Sequence, residues 1–159
     1  MRFRGWHSSP TGVLGISDPD SSTEGVGYYV ALERGLAEFF ERKICPVTIS
    51  LKNPLDARGE IGYILHESDE VMESPKEADS EWLSAIKEAV RRSHTTDKNW
   101  ENNQAKLNQA VTDVLQERGY DGILIDNWLV KFAKPEIRKK LKGFQEKKQK
   151  IPSKKMKYI

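Results

Sequence analysis

Apolar and polar residues change period several times along this chain, and each change marks an element. Residues 2–7 read as a short strand that ends at Ser8-Ser9-Pro10. Residues 11–26 are rich in Gly, Ser, Asp and Pro with neither period, and read as a loop. Residues 27–31 resume as a strand. Leu32, Leu36, Phe39 and Phe40 then recur at helical spacing, which predicts an amphipathic helix over roughly 32–43. Val47, Thr48, Ile49, Ser50 and Leu51 alternate as a half-buried strand should, and Lys52-Asn53-Pro54-Leu55 ends it, since proline cannot continue an interior ladder.

The middle of the chain is helical and polar. Asp79-Ser80 offers an N-cap before Trp82, Leu83, Ile86, Ala89 and Val90, which share one helical face. A polar stretch over 94–103 precedes a second helix with Leu107, Val111, Val114 and Leu115 on its core face. Gly119 is placed to end that helix. Residues 122–125 form a short, wholly apolar strand, and Trp128-Leu129-Val130-Lys131-Phe132 a second, joined by the turn dipeptide Asp126-Asn127. From Lys134 the chain is lysine-rich, first helical and then a mobile end at Ile151-Pro152-Ser153-Lys154-Lys155.

At 159 residues the chain suits one sizeable core. No apolar run reaches membrane-spanning length, and the first residues lead into no signal-peptide apolar region. The single cysteine, Cys45, cannot form an internal disulfide, so a cytoplasmic location is expected, with Cys45 as a buried structural thiol. The net charge of +2 hides an asymmetry: residues 131–159 carry twelve Lys/Arg against Glu136 and Glu146, leaving an acidic body and a strongly basic tail.

Strong nucleotide-binding signatures are missing: there is no Gly-x-Gly-x-x-Gly and no Walker-type Gly/Lys run. His7, His66 and His94 lack the spacing of a zinc site, so no metal is expected. What remains is an order of motifs. Trp6-His7-Ser8-Ser9-Pro10 is followed by Gly25-Val26-Gly27-Tyr28-Tyr29, then by Asn53-Pro54-Leu55, and finally by Gly119-Tyr120-Asp121-Gly122 before an apolar strand. That order resembles the small ADP-ribosyltransferase-like proteins common in phages and mobile elements, which belong with the His-Tyr-Glu branch of the ADP-ribosyltransferase superfamily. The resemblance covers roughly residues 3–137.

It implies an α+β fold, with split antiparallel β-sheets, flanking helices and an NAD cleft between the sheets. One domain would span 1–137, followed by a basic C-terminal tail over 138–159. His7 would hydrogen-bond the nicotinamide ribose, helped by Ser8 or Ser9, because a neutral imidazole both donates and accepts. Taken alone, a histidine beside a tryptophan also reads as a capped core residue. One of Tyr28 and Tyr29 would stack on the nicotinamide ring and the other would pack into the core, since alternation forbids both from facing one ligand. In the family an acid on the late strand stabilises the oxocarbenium-like transition state. Here Trp128 stands where a Glu is often found. Asp126 is therefore the candidate acid, with a plain Asp-Asn turn as its other reading. Glu136 is a more distant alternative, and Asp121 is expected to serve a turn.

The implied activity is NAD-dependent mono-ADP-ribosyl transfer to a macromolecule, by a phage or mobile-element effector acting on a host protein in the host cytoplasm. The alternatives are an inactive binding or inhibitor module of the same fold, and an NAD glycohydrolase with water as acceptor. The basic tail can contact nucleic acid or an acidic protein surface through salt-sensitive contacts, or can be a solvated helix and end.

Overall fold

Only three residues separate the strand that closes one edge of the sheet from the strand that closes the other, and this link shapes the whole molecule. A computed structural model describes residues 1–19, 24–40, 42–59, 80–96 and 98–149. In chain order the elements are β1 (Arg2–Ser9), β2 (Gly27–Ala31), α1 (Arg34–Glu38), β3 (Lys43–Ser50), β4 (Pro54–Asp56), α2 (Glu81–Ser93), α3 (Trp100–Glu117), β5 (Gly122–Ile125), β6 (Trp128–Phe132) and α4 (Pro135–Gln149). The six strands form one sheet in the order β3-β1-β2-β6-β5-β4. Every pairing is antiparallel except that of β4 with β5. The chain is therefore an α+β protein.

The β1–β3 ladder is complete, from Arg2 opposite Ser50 to Ser9 opposite Lys43. It extends to Met1 and Leu51, which exchange both backbone bonds. Pro46 sits inside β3, where it is tolerated because β3 is an edge strand. By contrast, β1 meets β2 at a single pair, Trp6 opposite Ala31. The two separate sheets expected from the sequence are thus one sheet with a one-residue seam.

Leu51 still pairs at the β3 edge, and Pro54 already pairs at the β4 edge. Three peptide units span at most about 11 Å. Five strand spacings in a flat sheet would need about 24 Å. The sheet must therefore bend until its outer edges meet. The bend brings Ile49 and Leu51 into one buried cluster with Val30 of β2 and Leu129 of β6, ringed by half-buried Phe3, Leu14, Tyr28, Leu32, Val47 and Leu124. No residue of this cluster belongs to a helix. At the bend itself Gly5 is required: a Cβ there would lie 2.4 Å from the Ala31 carbonyl oxygen.

A clasp fixes the corner. The Asp121 carboxylate accepts the backbone N–H of Lys52 at 2.6 Å and of Asn53 at 2.9 Å. The Asn53 side chain donates to the Gly119 carbonyl at 2.8 Å. Gly119 follows α3 with φ +92°, a left-handed position suited to glycine.

The other face of the sheet carries the helices. Trp82, Leu83, Ile86 and Val90 of α2 and Leu107, Val111, Val114 and Leu115 of α3 form the main core with Ile123, Ile125, Val130 and Phe132. Ser80 caps α2 by accepting the Leu83 N–H, as expected; Asp79 lies outside the described residues. Helix α3 starts at Trp100, inside the stretch that its polarity marked as a linker, because Asn103 turns inward to bind the Ser93 carbonyl and the Thr95 hydroxyl. Two polar side chains wholly buried on α3 catch the chain before β2: Asn108 accepts the Gly25 N–H and Thr112 that of Val26.

Two expectations differ from what is found. The helix expected over 32–43 shrinks to Arg34–Glu38. Phe39 and Phe40 are exposed, and β3 begins at Lys43 to match all of β1. Pro54 does not merely end a strand; it opens β4, a position where its missing N–H does no harm. Beyond the sheet, α4 runs without a break across residue 137. It is anchored by Arg138, buried against Asp113, Gln109 and Gln116. The expected mobile end at 151–155 lies outside the described residues.

Replacing Asp121 by Ala removes a charged acceptor from two backbone donors, so urea unfolding of that variant should show a loss of about 2 kcal/mol. Asp126→Ala, which gives up one exposed bond, should lose less than about 1 kcal/mol. Equal losses for the two would contradict the clasp.

Candidate functional site

Beyond the Trp6–Ala31 pair β1 and β2 part, and the backbone groups of β2 that face β1 need other partners. Two carbonyls show how this is done. Gly27 accepts the N–H of Ser17, from the 10–19 loop, at 3.0 Å. Tyr29 accepts from the imidazole of His7: Nδ1 lies 2.7 Å from its oxygen. His7 is buried, 3% exposed, and its Nε2 accepts the Gly15 N–H at 3.2 Å. A carbonyl can only accept and an amide can only donate, so the ring is neutral with its proton on Nδ1. His7 thus ties together β1, β2 and the loop laid over the seam.

The neighbouring hydroxyls divide. Ser9 is spent locally, donating to the Val13 carbonyl at 3.0 Å and accepting the Gly12 N–H at 2.9 Å. This folds the first turn of the loop. The Ser8 hydroxyl is buried and has no partner among the described residues.

The two tyrosines point to opposite faces. Tyr29 packs against the helix-covered core, and its hydroxyl donates to the Gly25 carbonyl at 2.7 Å. Tyr28 belongs to the other cluster and stays half-buried. Strand alternation puts His7 on that same face, with Phe3, so His7 and Tyr28 share the concave side of the bent sheet. Cys45, directly across from His7 in the ladder, is half-buried, not enclosed as the sequence suggested.

Asp126 stands apart from them. It is exposed in the β5–β6 turn, where its carboxylate accepts the Gly59 N–H at 2.8 Å. From β1 this is two to three strand spacings, roughly 10–14 Å. Among the described residues no hydrogen bond joins His7 to Asp126. Asp126 is not paired with a cation among the described residues. Asp56, its neighbour at this corner, is: Arg58 donates to both of its oxygens and holds the carboxyl down at about 2. Trp128 packs against the helix-covered core and meets Phe40 edge-to-face with ring centroids 5.7 Å apart. Glu136 lies elsewhere, in the first turn of α4, lining a cavity of about 300 Å³ with Asp113, Pro135, Arg138, Lys139 and Lys142. Asp121 serves the corner clasp.

Sequence reasoning missed two parts of this site. One is the Gly15 amide, which nothing in a loop without periodicity could single out. The other is Lys131, directly opposite Tyr28 in the β2–β6 ladder and half-buried. Its signal was present: a single charged residue inside an otherwise apolar strand.

Comparison with protein-family models, with curated proteins and with solved structures finds no match to this chain. No described helix is long and apolar enough to cross a membrane.

Two measurements test the electrostatics and the seam. A carboxyl depressed in the folded state contributes stability above its ordinary value and loses it as the pH falls toward the depressed one. Carbon NMR should accordingly place the Asp56 midpoint near 2, and Arg58→Ala should return it to the ordinary carboxylate range. An ordinary midpoint in the wild type would refute the pairing. For the seam, His7→Ala leaves a buried carbonyl and an amide without partners, so thermal denaturation should show a loss of about 2–4 kcal/mol. The Gly15 amide should also exchange faster with solvent.

Proposed function

We propose that this protein is an NAD-dependent mono-ADP-ribosyltransferase whose dinucleotide binds at the β1–β2 seam, at the margin of the buried concave cluster. The observation that carries the reading is the placement of His7 and Tyr28 on one face beside the loop-covered seam, supported by the order of motifs that resembles the ADP-ribosyltransferase-like family. Because Nδ1 is bound to Tyr29, a ribose hydroxyl would reach His7 by donating to Nε2 in place of the Gly15 N–H. Strand alternation puts the buried Ser8 hydroxyl on the face opposite His7, so the ribose contact falls to His7. Tyr28 supplies an aromatic wall, while Tyr29 holds the core.

In the proposed reaction the bond between nicotinamide and C1′ of the ribose breaks, and its electron pair leaves with nicotinamide. Positive charge then develops on the ribosyl ring, where a fixed carboxylate lowers the barrier. Asp126, without a cation of its own, is the candidate. A nucleophile on a macromolecule, here a protein of a phage's or mobile element's host, forms the new bond to C1′ and gives up its proton. Water as the nucleophile would make the protein an NAD glycohydrolase.

One observation favours a second reading. Trp128 stands where the family carries its acid and packs into the core, and Asp126 is anchored only to a loop amide. The fold would then bind NAD or a partner without chemistry.

Incubation with labelled NAD and cell lysate decides between them. The wild type should transfer label to protein, Asp126→Asn should be slower by about a hundredfold, and Asp126→Asn should still bind NAD. If NAD at a hundred times its dissociation constant stabilises the fold by about 2.7 kcal/mol but no label is transferred or released as free ADP-ribose, the binding module stands. Absence of both binding and transfer removes the NAD reading altogether.

A further inference from the structure

The last helix carries a charge that the rest of the chain does not share. Residues 131–159 hold twelve Lys/Arg against Glu136 and Glu146, while the residues before them are net acidic. Helix α4 is also fixed to the body. Arg138 is buried, and its guanidinium donates to the Asp113 carboxylate, to the Gln109 carbonyl at 2.9 Å and to the Gln116 side chain. One turn later Lys142 reaches the same carboxylate at 3.0 Å. A single acid thus answers two cations, and the stripe through Arg138 and Lys142 faces α3. Successive helical residues turn by about 100°, so Lys139 and Lys140 point away from that stripe. Both are exposed, as is Lys134 just ahead of the helix. The three side chains form no ion pair or hydrogen bond among the described residues. Lys147 and Lys148 follow on the same unbroken helix.

From this we infer that α4 binds the phosphate backbone of duplex DNA. The inference goes beyond the NAD reading and does not depend on it. The make-up of the surface selects a nucleic acid over an acidic protein. Protein interfaces are built around aromatic, Met or Arg anchors and are depleted in Lys. Here the exposed residues at the start of the helix are Pro135, Glu136, Lys139 and Lys140, and its one arginine is spent on Asp113. A lysine ammonium is a point charge that meets phosphate without reading bases, so the binding is indifferent to sequence. Residues 134–143 contain no aromatic side chain on which unstacked bases could lie, which favours a duplex over a single strand. A helix exposed along one side fits the wide major groove of B-form DNA, not the deep and narrow one of an RNA duplex. The acidic body repels the same backbone and leaves α4 as the side that approaches it.

Fluorescence anisotropy of a short labelled DNA duplex, titrated with the full chain, tests this. Wild-type affinity should fall about fortyfold between roughly 50 and 200 mM salt, as three phosphate contacts require. The double variant Lys139→Gln/Lys140→Gln should bind about tenfold more weakly at the lower salt, with a salt slope smaller by about 1.8. Arg2→Gln/Arg4→Gln removes the same charge from exposed residues of β1 and should bind as the wild type does. A duplex of different base sequence should bind within about threefold of the first. Equal losses in the two double variants overturn the inference, since net charge and not α4 would then be responsible. A weaker Lys139→Gln/Lys140→Gln with an unchanged salt slope also overturns it, because the damage would be structural. So does an absence of DNA binding at the lower salt, tighter binding of an RNA duplex, or equally tight binding of a polyglutamate peptide. NAD is present in no arm, so each of these outcomes leaves the NAD reading standing.

Discussion

The link of three peptide units from Leu51 to Pro54 governs this structure. It joins opposite edges of a six-stranded sheet across a distance that a flat sheet could not close. Bending is the only solution, and it has two consequences. Apolar side chains of β3 come to face those of β2 and β6, which gives the concave side a small dry core without helices. The strain of the bend also falls where pairing is thinnest, between β1 and β2, where a single residue pair holds the sheet together.

A seam of that kind exposes backbone groups that must still be satisfied. Here the partners are supplied by a loop amide and an imidazole, and not by a neighbouring strand. An imidazole is unusual among such partners because it uses one nitrogen to hold the sheet and presents the other to the loop above. The Nδ1 bond to Tyr29 is what leaves Nε2 as an acceptor of fixed orientation.

Most of the elements were legible in the sequence, because their signals are local. The strands at 27–31, 122–125 and 128–132 and the two long helices follow from periodicity and capping residues. What failed was decided by partners distant in sequence. Phe39 and Phe40 have helical spacing but no core to face, since β1 claims Lys43–Ser50 for its ladder. Pro46 and Pro54 read as breakers, yet one lies on an edge strand and the other opens a strand. At the site, alternation forced the tyrosines apart but could not say which faced the core; the Tyr29 hydroxyl bond to Gly25 settles that. The bend that makes one face concave has no local signature at all.

Asp121 and Asp126 lie five positions apart at the two ends of one short strand, and their partners sort them. Asp121 binds two amides of the Lys52-Asn53 corner, and Asn53 returns a bond to Gly119. The Asn-Pro-Leu and Gly-Tyr-Asp-Gly motifs are thus one device seen twice in the sequence, and that device closes the bend. Its presence speaks for the shape of the sheet and is silent about chemistry. Chemistry has to come from residues the clasp does not use. On the concave side and its rim the residues it leaves unused include His7 at the seam, Tyr28 and Lys131 across one ladder, and Asp126 at the turn. Between half-buried Lys131 and the exposed Asp126, Leu129 on the same face of β6 is wholly buried, so the two charges stand on either side of the concave core and do not share it.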